Sequence, residues 1–73
     1  MPTQIVMDHS GDTRHSFDAT DAAAIEAAEK RFQELTGAGF FAYKREGEGK
    51  ASLQRKFDPA AEEVVFRPML KGG

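Results

Sequence analysis

Apolar and polar residues alternate near both ends of the chain, and between them apolar residues recur every three or four positions. Successive side chains of a strand leave opposite faces, so Thr3 to Asp8 reads as a strand with Ile5 and Met7 on one side and Gln4 and Val6 on the other. The run His9-Ser10-Gly11-Asp12 supplies turn residues, and a return strand is expected from Thr13 to Phe17. From there to Thr36 the positions Ala22, Ile25, Ala28, Phe32 and Leu35 fall on one helical stripe, opposite a charged face that includes the i,i+4 pair Glu26 and Lys30. Asp18 is the expected N-cap, with Thr20 as its rival and Phe17 placed to staple onto Ala22. Gly37 suits the left-handed residue that commonly ends a helix.

Three further strands follow. Gly39 to Arg45 carries apolar residues on both faces, Phe41 and Tyr43 against Phe40 and Ala42, which is the pattern of an interior strand. After an exposed glycine-laced loop, Glu46 to Lys50, a fourth strand is expected from Ala51 to Phe57, with Leu53 and Phe57 on one face and Asp58-Pro59 as its stop. The last strand runs from Glu63 to Arg67, with Val64 and Phe66 on one face and Val65 on the other, and Pro68 then withdraws an amide from the ladder. The order ββαβββ predicts an α+β domain of two layers, a single helix packed across one face of a mixed sheet.

Size narrows the function. At 73 residues and 8.0 kDa the chain has one thin core and no room for an enzyme's deep cleft, so it is read as a non-enzyme. Its 10 Lys and Arg against 12 Asp and Glu give a net charge of −2, without the positive excess that holds nucleic-acid binders on phosphate. The absence of cysteine removes disulfides and thiolate chemistry. No apolar run approaches the roughly 18 residues of a membrane span, and the first residues lack a leader pattern, so the expectation is a cytoplasmic protein with no membrane partner. Short length and a charged surface predict a monomer.

Few residues carry chemistry. His9, Asp12 and His15 have the donor atoms that zinc takes, but odd positions around one hairpin need not converge, and the reading is one turn histidine and one partly buried strand histidine with no metal. Gly37-Ala38-Gly39 and Gly47-Glu48-Gly49 lack the strand–turn–helix setting in which glycines cradle phosphate, and no cofactor is expected. Charge is lopsided: residues 1 to 43 carry 3 basic and 7 acidic groups, residues 44 to 73 carry 7 and 5. Tyr43 with Lys44, Arg45, Arg55 and Lys56 is therefore a candidate face for an acidic partner or single-stranded nucleic acid, against the plainer reading of a charged edge that deters aggregation. Phe40, Val65 and Met69 are expected to pack internally, or else to form an exposed apolar patch.

The N-terminal hairpin Gln4 to Phe17, the lead-in Asp18-Ala19-Thr20-Asp21, the helix to Thr36 and the ending Met69-Leu70-Lys71-Gly72-Gly73 together resemble the ubiquitin-like β-grasp superfamily over essentially the whole chain. The ending is similar to the Leu-Arg-Gly-Gly tail of ubiquitin, with lysine for arginine, and the run Glu63 to Pro68 before it also resembles the last strand of small sulfur carriers. The asparagine-containing strand and Asp-Gly-Asp turn typical of sulfur carriers are absent, with Ala42-Tyr43-Lys44 and Ala60-Ala61-Glu62-Glu63 in the comparable places. The resemblance implies a β-grasp domain over residues 1–68 and a flexible tail over 69–73. It implies a protein modifier whose Gly73 carboxylate is adenylated by an activating enzyme and joined to a target amine, with conjugating and processing enzymes as further partners. Gly72 and Gly73 would be the activated end, with Leu70 and Lys71 read by the enzyme channel. The alternatives are a sulfur carrier bearing a C-terminal thiocarboxylate, and a non-covalent interaction module.

Overall fold

Alternation in the first sixteen residues closes a hairpin, β1 (Thr3–Asp8) against β2 (Gly11–Ser16), with Asp8 opposite Gly11. The Asp8 carboxylate accepts from the Ser10 amide at 2.8 Å and hydroxyl at 2.6 Å, and Gly11 takes φ 125°, a value that side chains disfavour. The remaining elements of this computed structural model, which describes residues 1–68, are α1 (Ala22–Gly37), β3 (Phe40–Gly47), β4 (Lys50–Gln54) and β5 (Glu63–Pro68).

The helix begins and ends later than the sequence predicts. Asp21, not Asp18 or Thr20, is the cap, accepting from the amides of Ala23 at 3.0 Å and Ala24 at 3.4 Å. Asp18 is already engaged one turn earlier, where its carboxylate takes the Thr20 amide at 2.8 Å and hydroxyl at 2.6 Å. At the other end Gly37 is still helical, because the Ala38 amide reaches the carbonyls of Glu34 and Leu35. The left-handed residue is Gly39, at φ 99°. Among the described residues Glu26 and Lys30 form no ion pair.

The sheet has the strand order β2-β1-β5-β3-β4, in which β1 and β5 are parallel and every other pair is antiparallel. A hairpin, a helix and three more strands in this order make a ubiquitin-like β-grasp arrangement, ββαβββ, with β5 at the centre. Burial explains the choice. Ala28 and Phe32 of the helical stripe are buried, Ile25 and Leu35 are half-buried, and Ala22 is exposed. Phe32 meets Phe66 edge to face at a centroid distance of 5.7 Å, and Phe66 is 0% exposed at the middle of the central strand. Ala42, Ala61 and Val64 complete the core, with Val6, Leu35, Phe40 and Phe57 packed around it.

The fourth strand is shorter than the alternation predicts, and Leu53 and Phe57 do not share a face. β4 stops at Gln54, Leu53 stays 44% exposed, and Phe57 turns to the helix side, 6.0 Å from the Phe32 ring and 6.2 Å from that of Phe17. Fully burying a phenyl ring is worth about 1.5–3 kcal/mol, and the half-buried Phe57 gains part of that by packing on the helix side. The turn at Asp58 fixes the detour: its carboxylate accepts from the Ala60 amide at 2.9 Å and its carbonyl from the Ala61 amide at 3.1 Å. No helix among the described residues is long and apolar enough to cross a membrane.

Candidate functional site

Strand parity decides which side chains can act together, because directly opposed residues of neighbouring strands share a face. The register runs Arg14 to Ile5, Ile5 to Val65, Val65 to Tyr43 and Tyr43 to Leu53, so one row crosses the whole sheet on the side away from the helix. Phe41, Arg45 and Arg67 belong to the same side by alternation, and the Phe41 and Tyr43 rings meet edge to face at 6.5 Å. No element covers this side among the described residues.

The row is apolar at its centre and cationic at its margins. Met7, Val65 and Tyr43 line a trough of about 390 Å³ whose charged lining residues, among the described residues, are Arg45, Lys50 and Arg67, with no carboxylate. Arg45 is partly neutralised, since its guanidinium donates to Glu63 at 2.9 Å. A surface of this kind suits an apolar partner segment that also carries negative charge.

The residues singled out from the sequence, Tyr43, Lys44, Arg45, Arg55 and Lys56, do not form a single face: Lys56, like Arg55, lies beyond the end of β4. Tyr43 and Arg45 lie on the uncovered side, whereas Lys44 points to the helix side and pairs with Asp58 at 3.5 Å. Arg55 lies just beyond β4, where it lines a groove of about 320 Å³ with Phe40, Phe41 and Leu53. Three consecutive strand residues cannot point one way, and clustering by charge along the sequence ignored that parity. Val65 and Leu53, with Arg14 and Arg67 beside them, are the members that charge clustering missed; Ile5 shares their side but is only 4% exposed and adds no surface. Period-two alternation in β1 and β5 already placed Ile5 and Val65 off the Gln4 and Val64 sides. Of the apolar residues left unassigned, Phe40 packs against the core and Val65 sits half-buried on the uncovered side.

The hairpin histidines separate as well. Asp12 lies opposite Met7, and His15 lies opposite Gln4 on the other side of the sheet. Among the described residues no group of three or more His, Cys, Asp or Glu could hold a metal ion. Burial, and then the nearby Arg31 charge, push the His15 pKa below its ordinary value. Asp8 and Asp18 are held below the usual carboxylate range, each chiefly by a hydroxyl donor, Ser10 and Thr20.

The expected activation residues Leu70, Lys71, Gly72 and Gly73 lie outside the described residues, as does Met69. What precedes them is defined: β5 pairs with β1 on one side and β3 on the other, and ends with Pro68 opposite Phe40. With the fold and the uncovered side established, comparison with known proteins adds no relative: no family model, curated protein or solved structure matches the chain. What the structure defines is a fold: a small α+β domain in a ββαβββ β-grasp arrangement, with the helix on one side of the sheet and no element on the other among the described residues.

Proposed function

We propose that the chain is a ubiquitin-like protein modifier, activated at the Gly73 carboxylate and transferred to an amine of a target protein. The observation that carries this reading is a conjunction: a β-grasp strand order whose central strand ends at Pro68, five residues before Gly73. The domain supplies no catalytic group to the reaction and acts as a substrate that an activating enzyme recognises.

The chemistry is a sequence of acyl transfers. The Gly73 carboxylate attacks the α-phosphate of ATP, forming an acyl adenylate and releasing pyrophosphate. An enzyme thiol then displaces AMP to give a thioester and loses its proton, and a target amine displaces the thiol to give an amide. The thiol recovers a proton as the amine gives one up. Glycines 72 and 73 have no Cβ, so a narrow enzyme channel can close around their backbone. Lys71 offers a charge for acidic residues at the channel mouth.

A second reading, a non-covalent interaction module, is favoured by the apolar row that crosses the uncovered side. The two are compatible, since an enzyme that activates Gly73 must first grip the domain. An N-terminally tagged chain expressed in its native cells tests the covalent reading. The expected result is a set of higher-mass species that survive denaturation and vanish when Gly73 is deleted. Tagged protein recovered only at its own mass would remove the modifier reading. A sulfur-for-oxygen mass increase at Gly73 would select the thiocarboxylate carrier instead.

A further inference from the structure

A net charge of −2 argues against nucleic acid when the chain is counted whole, but the fold sorts the charges between the two sides of the sheet. The helix, on the covered side, carries Glu26, Glu29 and Glu34, all exposed. On the uncovered side the strands place three of the chain's five arginines, Arg14, Arg45 and Arg67, with two carboxylates, Asp12 and Glu63. Glu63 is already taken by Arg45. Arg14 and Arg67 are exposed and form no ion pair among the described residues.

One ring on this side stands between two cations. Arg67 on β5 is the ladder partner of Phe41, and on the β4 side of Phe41 an open groove of about 320 Å³ has Arg55 in its wall. Phe41 is 38% exposed, and the Tyr43 ring braces it edge to face at 6.5 Å. The site adjoins the trough around Val65, with which it shares Arg67.

We infer that this face binds a single-stranded polynucleotide, with one base stacked on Phe41 and the phosphates on either side of that base held by Arg67 and Arg55. Charge and shape select the occupant. An internal nucleotide of a strand offers a flat base between two phosphates, the complement of a ring between two cations. A duplex keeps its bases stacked inside and cannot present one to the ring. A free mononucleotide wants most of its surface enclosed, which an open groove does not provide. An acidic peptide would satisfy the arginines and leave the exposed ring without a stacking partner. The inference goes beyond the modifier reading and stands on the sheet face alone.

Fluorescence anisotropy of labelled oligo(dT) and oligo(U) strands of about ten nucleotides, titrated with the full chain, tests it. Near 50 mM salt a dissociation constant on the order of 100 μM is expected, and log affinity should fall against log salt with a slope of about −0.7 per phosphate held, about −1.4 in all. Phe41→Leu removes the ring and keeps an apolar side chain; it should weaken binding at least about fivefold. Arg67→Gln and Arg55→Gln should each flatten the slope by about 0.7, while Lys30→Gln on the exposed face of the helix should leave affinity and slope unchanged. Circular dichroism verifies that every variant is folded. Binding of either strand supports the inference, and a preference between them separates RNA from DNA. Purified chain and oligonucleotide are the only components, so the result is independent of whether Gly73 is activated. No binding at about 1 mM protein, binding indifferent to Phe41→Leu, equal weakening by Lys30→Gln, or a polyglutamate peptide held as tightly as the oligonucleotides would overturn the assignment.

Discussion

Arg31 on the helix donates to the Oε1 of Gln4 on β1 at 2.8 Å, and the Nε2 of the same Gln4 donates to the Ala28 carbonyl at 3.0 Å. Gln4 is 2% exposed, and one side chain thereby fastens the helix to the sheet through both ends of its amide. Among the described residues no buried side-chain nitrogen or oxygen lacks a partner. Gln4→Leu keeps the volume and leaves the guanidinium without its acceptor; a loss of about 1–3 kcal/mol is expected from urea unfolding.

His15 faces Gln4 across the hairpin and feels the Arg31 charge on the helix, so its imidazole is held neutral in the folded protein below its ordinary pKa near 6.5. Between the folded pKa and that value the unfolded chain binds more protons. Stability from this group is therefore fully present above 6.5 and falls as pH drops through that point toward the folded pKa. Urea midpoints should decline from about pH 7.5 to about pH 5, and the decline should shrink in His15→Gln. Equal declines in both proteins would assign the effect elsewhere. Asp8 and Asp18 act in a separate window, contributing above 3.8 and losing their contribution as pH falls further.

Asp21 caps the helix, whereas Asp18 only shapes the turn before it. Asp21→Ala should cost about 1 kcal/mol by leaving two first-turn amides without their acceptor. If thermal unfolding found Asp18→Ala the costlier change, the cap would have been misplaced.

Phe66 has no exposed surface and meets Phe32 edge to face. Phe66→Ala should cost about 3–5 kcal/mol, much of what so small a domain has. Phe41→Ala, on a ring 38% exposed, should cost far less. Comparable losses in denaturant titrations would contradict the placement of the core.

Element order was legible because strong local periods agreed with the global fold: Thr3–Asp8 alternates, and Ala28 and Phe32 fall on one helical stripe. Boundaries were less so where two residues could do one job. Asp18 and Asp21 both have capping side chains, and only the turn between them shows which amides are free. Phe57 continued a period-two pattern on paper and left it because the core offered its ring more burial than the sheet edge did. The uncovered side was half legible. Tyr43 and Arg45 could be named, but Ile5, Val65 and Leu53 join them only through registers set by long-range pairing, one of them the parallel contact of β1 with β5.

The central claim concerns the Gly73 carboxylate, and trypsin provides the most direct test. Cleavage after Lys71 leaves Gly72 and Gly73 attached to whatever amine has received the chain. Peptide mass spectrometry of native cells should find lysines bearing a Gly-Gly remnant when the intact chain is present, and should lose them when the chain lacking Gly73 replaces it. Remnants absent from both cells, with Gly73 recovered only as the free acid, would contradict the account.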